Sequence, residues 1–234
     1  MASPWVKRGV MSDLWVGVGG GHRGDLCRGL AQRQRVPDDP AGPVGWPWQH
    51  DVMISIHPDA WVSPTAVLTG DVTVGAGSRV LDLAVIHATA GPVVIGQDVV
   101  VMEHAVLRGR AEHPLTIGDA VLVGPLTHLN GTTVEDEVFI ATGAALFPGS
   151  TAGARSELRI RSVLHVNSHL APDTVLPIGW VAAGDPASLF PPGEHDQLWA
   201  AQEPLDFPGT VYGVDRGTPM RQIMRRQSRL YGPE

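Results

Sequence analysis

The chain has 234 residues, 43% of them apolar and 18% charged, with a formal net charge of −7. That acidic balance argues against nucleic acid, which wants a concentrated basic surface, and one cysteine, Cys27, excludes a disulfide framework or a cysteine-rich metal site. No apolar run approaches the roughly 20 residues of a membrane span and no secretory apolar core opens the chain, so a cytoplasmic location is the expectation.

Residues 1–52 stand apart from the rest of the chain. Gly19-Gly20-Gly21-His22-Arg23-Gly24 spells G-x-G-x-x-G after a short apolar Leu14-Trp15-Val16. Such glycines can let backbone amides approach a phosphate, but no βαβ unit comes after them. Instead come Pro37-Asp38-Asp39-Pro40 and Gly42-Pro43-Val44-Gly45-Trp46-Pro47, which is linker chemistry. The segment reads as a flexible extension, and Met53 is an alternative start.

From Val62 onward, large apolar residues recur at a spacing of almost always six. The series is Val62, Leu68, Val74, Val80, Ile86, Ile95, Val101, Leu107, Ile117, Val123, Leu129, Val134, Ile140, Leu146, Ala152, Leu158, Leu164, Leu170 and Leu176. It steps by nine at Ile95, by ten at Ile117 and by five at Val134. Four residues after most of these sits a small or β-branched one, among them Ala66, Val72, Ser78, Ala84, Thr127, Thr133, Ser156 and Thr174.

A period of six matches neither a helix nor a simple strand alternation. It suits a solenoid whose every coil has three short flat faces. The large residue fills the prism and the small one turns the corner. The spacing predicts a parallel β-helix over residues 57–182 with all nineteen positions buried. Stacked at roughly 4.8 Å per coil, six coils make a column about 30 Å tall.

Past the column, Gly184-Asp185-Pro186-Ala187 closes the last coil, and Pro191-Pro192-Gly193 precedes a predicted helix from about Glu194 to Gln202. Leu198 is placed to pack it on the column, with Trp199 beside it. A second helical stretch follows Pro219 and carries Arg221, Arg225, Arg226 and Arg229. That run reads as a solvated face, with an acidic partner or phosphate as the alternative. The organisation is thus an extension (1–52), a β-helix (53–186) and a C-terminal helical segment (187–234).

The hexapeptide frame, the five-residue step and the terminal Gly-Asp-Pro-Ala resemble the left-handed β-helix superfamily, which holds hexapeptide acyltransferases and gamma-class carbonic anhydrases. Residues 53–190 look most like the carbonic anhydrase branch. The stretches that carry this are Pro92-Val93-Val94-Ile95-Gly96, Val101-Met102-Glu103-His104-Ala105-Val106-Leu107, Leu129-Asn130-Gly131-Thr132-Thr133-Val134 and Ile140-Ala141-Thr142-Gly143-Ala144. The resemblance implies a left-handed coil, a homotrimer, a C-terminal helix along the column and zinc between neighbouring protomers.

The catalytic markers of that family are replaced. The resemblance places its three zinc histidines at positions where this chain has Arg108, Pro125 and Asn130. Proline offers no side-chain donor atom, arginine is permanently cationic, and an asparagine amide is a poor zinc ligand. The family's Arg-Gly-Asp reads His87-Ala88-Thr89, and its carboxylate is kept in type at Glu103.

Three faces per coil put Ile86, Leu107, Leu129, Leu146 and Leu164 on one face of successive coils. Their next residues, His87, Arg108, Asn130, Phe147 and His165, then point outward in register, with His128 beside Asn130. The corner leading in carries Glu103 and His104, then Pro125 and Leu126. A belt of His87, Glu103, His104, Arg108, His128 and Asn130 results. It reads in three ways: a polar protomer contact, a cleft using Arg108 for a carboxylate or phosphate with a histidine as acid and base, or a metal site rebuilt from His87, His104 and His128. His165 and His169 lie too far along the column to join it.

The expected function is a gamma carbonic anhydrase-like homotrimer that does not hydrate carbon dioxide and instead binds a small anion or runs other, lyase-type chemistry between subunits. Arg108, Asn130, Glu103 and His128 are its candidate catalytic residues. No cofactor is expected, and zinc only through the rebuilt set. The alternatives are a hexapeptide acyltransferase, against which the short excursions argue, and an assembly protein without catalysis.

Overall fold

The structure is a computed structural model that describes residues 53–230. The extension 1–52, with its glycine-rich stretch and alternative start, lies outside the described residues, as do residues 231–234.

The hexapeptides form a left-handed parallel β-helix of about seven turns, followed by a short helical region. Strands of two or three residues pair with the strands one coil away, and in register: Ile86 with Leu107, Leu107 with Leu129, Leu129 with Leu146, and Leu146 with Leu164. One face is a seven-stranded sheet running from Trp61–Val62 to Val175–Leu176. The other two are joined into one sheet because Val67–Val74 and Val85–Ile95 run on around a corner. At the nine-residue step the register shifts between Gly70 and Val72, and the inward positions are back in line at Val74 with Ile95.

Seventeen of the nineteen predicted inward positions are buried, from Val74 to Leu176. Val62 and Leu68 are half-buried and pack against the same core. Each has a paired strand on one side only. Each fully buried large side chain contributes on the order of 1.5–3 kcal/mol.

The corner series needs one correction. Thr133 is exposed, and Thr132 is the buried corner residue, its hydroxyl donating to the Ser150 carbonyl at 2.9 Å. The corner residue sits two positions before the next inward one, so counting four forward fails across a five-residue step. The same rule places Val93 and Leu115, both fully buried, at the corners following the longer steps.

Another corner column takes the left-handed conformation throughout. Leu83, His104, Leu126 and Arg161 have φ near +60°, and Gly143 and Gly179 continue the series at +68° and +71°. A left-handed conformation costs a non-glycine residue roughly 1–2 kcal/mol. Backbone bonds running up the corner offset it: His104 N–H donates to the Asp82 carbonyl, Leu126 N–H to Glu103, Gly143 N–H to Pro125 and Arg161 N–H to Thr142.

The last parallel strand, Val181–Gly184, turns back in an antiparallel hairpin with Ala187–Phe190. Among the described residues three α-helices come next, α1 (His195–Gln202), α2 (Phe207–Tyr212) and α3 (Met220–Leu230), with a short 3-10 turn at Glu203–Leu205 after the first. The first and third match the sequence reading. Leu198 is only half-buried, while Trp199 is exposed with the Arg216 guanidinium 5.4 Å above its ring. Among the described residues no helix is long and apolar enough to cross a membrane.

Candidate functional site

The ladder brings His87, Arg108 and Asn130 together as one vertical row. His87 pairs with Arg108 across one strand gap and Arg108 with Asn130 across the next. Each follows a buried Ile86, Leu107 or Leu129, so strand alternation turns all three outward. His128 shares the outward side of Asn130 and pairs with Val106. Phe147 and His165 continue the row, their N–H groups bonding to Leu164 and Ala182 of the next coil.

Close backbone approach keeps the exit from this row narrow. A Cβ on Gly109, directly after Arg108, would meet the Gly91 carbonyl oxygen at 2.1 Å. Only glycine lets the chain leave Arg108 that tightly against the neighbouring coil.

Arg108 is half-buried, and its Nε is fully shielded with no hydrogen-bond partner. No carboxylate among the described residues forms a salt bridge with it, Glu103 included. Its neighbours are imidazoles. Burial first, and then the positive charge of Arg108, holds His87 and His128 below the ordinary histidine value of 6.5. Both shifts favour the neutral imidazole.

His87 is fixed on both ring nitrogens: Nδ1 lies 3.0 Å from the Thr69 hydroxyl and Nε2 lies 2.8 Å from that of Thr89. Glu103 and His104 stand at the left-handed corner that leads into the face, directly over Pro125 and Leu126. Glu103 is half-buried and His104 exposed. The row of His87, Arg108 and Asn130 with His128 thus forms as expected, with Glu103 and His104 at its edge.

This donor set does not fit the zinc of the resembled family. Arginine, proline and asparagine stand where the resemblance expects the three ligands, and His87 already has both nitrogens engaged. Among the described residues, no three of His, Cys, Asp and Glu within the chain converge on a point that could hold a metal.

What the sequence reading missed is an aromatic wall. His165 stands at the lower end of the row, where it is buried, and Phe147 lies between it and His128. The Phe147 ring lies 6.5 Å from the His128 ring and 6.4 Å from that of His165. Phe207 from α2 packs 5.6 Å from Phe147 and 5.7 Å from His165, and Tyr212 lies 6.1 Å from Phe207. Burial lowers the His165 pKa as well. The sequence did hold a signal for α2: Asp206 caps it by accepting from the Gly209 N–H, and Pro208 sits in its first turn.

No family model matches the chain. Gamma carbonic anhydrase 1, mitochondrial, of Arabidopsis thaliana is 31% identical over 142 residues, which cover 58% of this chain and 49% of that protein. The Carnitine operon protein CaiE of Escherichia coli K12 is 24% identical over 182 residues, covering 76% and 90%. A hexapeptide transferase family protein from Anaplasma phagocytophilum aligns with a TM-score of 0.42 at 18% identity, over 75% of this chain and 92% of that one. The chain spans about half the length of the gamma carbonic anhydrases it matches. In sequence the chain is thus similar to gamma carbonic anhydrases over part of its length and to CaiE over most of it, and the positions where that resemblance expects metal ligands carry Arg108, Pro125 and Asn130.

Proposed function

We propose that the protein is a homotrimer that binds a small anion on Arg108 in a cleft between subunits and does not hydrate carbon dioxide. The observation that carries this is the Arg108 guanidinium: half-buried, its Nε unpartnered, flanked by neutral imidazoles and free of any carboxylate. A guanidinium edge shielded from water without a partner carries a desolvation cost. An oxyanion that takes its N–H groups in a planar, bidentate pair offsets that cost.

The neighbours have matching roles. Asn130, opposite Arg108 in the ladder, offers an amide donor and acceptor. Neutral His128 can accept a proton from a ligand hydroxyl or acid, or donate one from its other nitrogen. Glu103 and His104 form the rim. Hydration chemistry is left out because it needs a metal hydroxide, and the residues present do not build a site for that ion. An acyltransferase would need a long loop with a catalytic histidine and a coenzyme A groove. The excursions here reach only nine and ten residues.

Calorimetric titration with formate and bicarbonate tests the reading. Wild type binds, Arg108→Ala weakens binding at least about tenfold by loss of a charge-assisted pair, and His165→Ala changes it far less. Wild-type protein that binds neither anion, or equal affinity in Arg108→Ala, would reject the site. Light scattering should return a trimer; a monomer at micromolar concentration would reject the intersubunit cleft.

A further inference from the structure

The outward row changes character along the column. Its first three coils end in His87, Arg108 and Asn130, and the next two end in Phe147 and His165. Phe207 and Tyr212 extend the ring surface beside it. This wall is held by polar anchors rather than by ring contacts alone. Arg110 Nη2 donates to the Val211 carbonyl at 2.7 Å, while Asn167 Nδ2 donates to the Leu205 carbonyl at 3.1 Å and the Thr210 hydroxyl at 3.0 Å. Arg110 lies two residues beyond Arg108 and Asn167 two beyond His165. Helix α2 therefore runs beside the row from its aromatic end towards its polar end.

Beyond the rings a cavity of about 330 Å³ opens, lined by His165, Trp199, Phe207 and Arg216 among others. Arg108 and Phe147 are two strand spacings apart, roughly 10 Å. A bare oxyanion on Arg108 would leave the ring surfaces wet. A carboxylate carrying an aromatic ring a few bonds away reaches both, and a wall fixed in advance binds it without further ordering. Ring on ring also adds an edge-to-face attraction that a saturated group lacks.

We propose that the belt takes an aromatic carboxylate, with the carboxylate on Arg108 and the ring against Phe147 and Phe207. This rests on the reading of Arg108 as the anion anchor. The test compares 3-phenylpropionate, 3-cyclohexylpropionate and propionate by calorimetry on the full chain. In wild type, 3-phenylpropionate should bind at least about tenfold tighter than propionate, and the cyclohexyl acid should fall between. Phe207→Ala should collapse the ratio of phenyl to propionate affinity. Phe207→Leu, which keeps an apolar plug if alanine loosens α2, should reduce it part of the way. A wild-type ratio near one, with propionate still bound through Arg108, overturns the aromatic assignment and leaves the anchor standing. Equal binding of the cyclohexyl and phenyl acids, or a ratio untouched by both Phe207 variants, also overturns it. No binding of any of the three removes the anchor and the assignment together.

Discussion

The two halves of one β-helix face share a backbone and differ in chemistry. Ile86, Leu107, Leu129, Leu146 and Leu164 lie in one continuous ladder and are all fully buried. In the upper half the residue after each is His87, Arg108 or Asn130, and this part carries a guanidinium whose Nε has no partner. In the lower half it is Phe147 or His165, and α2 covers it. The inward residue of each hexapeptide is bound by the fold, while the outward one is free to change. The architecture alone therefore says little about the reaction.

The sharpest way to break this contrast is to exchange the rules for inside and outside. Leu129→Asp puts an unpaired charge in the prism beneath both halves. The penalty should exceed the stability of the column, with loss of the cooperative transition in circular dichroism. Asn130→Asp, one residue on, should still fold. Next in size is Phe207→Ala, which strips the lid from the lower half. Because Phe207 is half-buried, a loss of about 1–3 kcal/mol in denaturant unfolding is expected, below the usual range for a fully buried phenylalanine. Arg108→Ala in the upper half should leave stability nearly unchanged or raise it slightly, since it removes a half-buried guanidinium whose Nε has no partner.

The smallest effect is that of pH. His87, His128 and His165 all have folded-state pKa values below 6.5. Between those values and 6.5 the unfolded chain binds more protons than the folded one, so stability rises with pH across that window. It is complete above about pH 6.5 and is lost as the pH falls through the lowered values. Thermal melts from about pH 7.5 to about pH 5 should show this decline, and His128→Gln should flatten it. An anion on Arg108 favours the charged imidazoles, so formate affinity should increase as the pH falls through the same window.

The body of the fold was legible because the six-residue period repeats one physical rule. The row of His87, Arg108 and Asn130 followed from it, since register carries each outward residue onto the next coil. Where the period slipped, the reading slipped too: Thr133 stood in for Thr132 because the corner is counted back from the next inward residue. The wall was not legible. Phe207 and Tyr212 lie outside the repeat, and their approach to Phe147 and His165 depends on the hairpin at Val181–Phe190 and on the Arg110 and Asn167 anchors. Nothing local to residues 205–212 encodes those long-range bonds. The Phe207 contact of His165 was hidden for the same reason, as it comes from a segment about 40 residues away in sequence.

The central claim is that Arg108, Pro125 and Asn130 occupy the places where gamma carbonic anhydrase-like proteins hold a metal, and that their chemistry has turned the site to anions. The most direct measurement is zinc content in the triple variant Arg108→His, Pro125→His, Asn130→His, purified as a folded trimer and compared with wild type. The account predicts stoichiometric zinc in the variant together with loss of formate binding. A folded, trimeric variant that takes up no zinc and still binds formate as wild type does would contradict it.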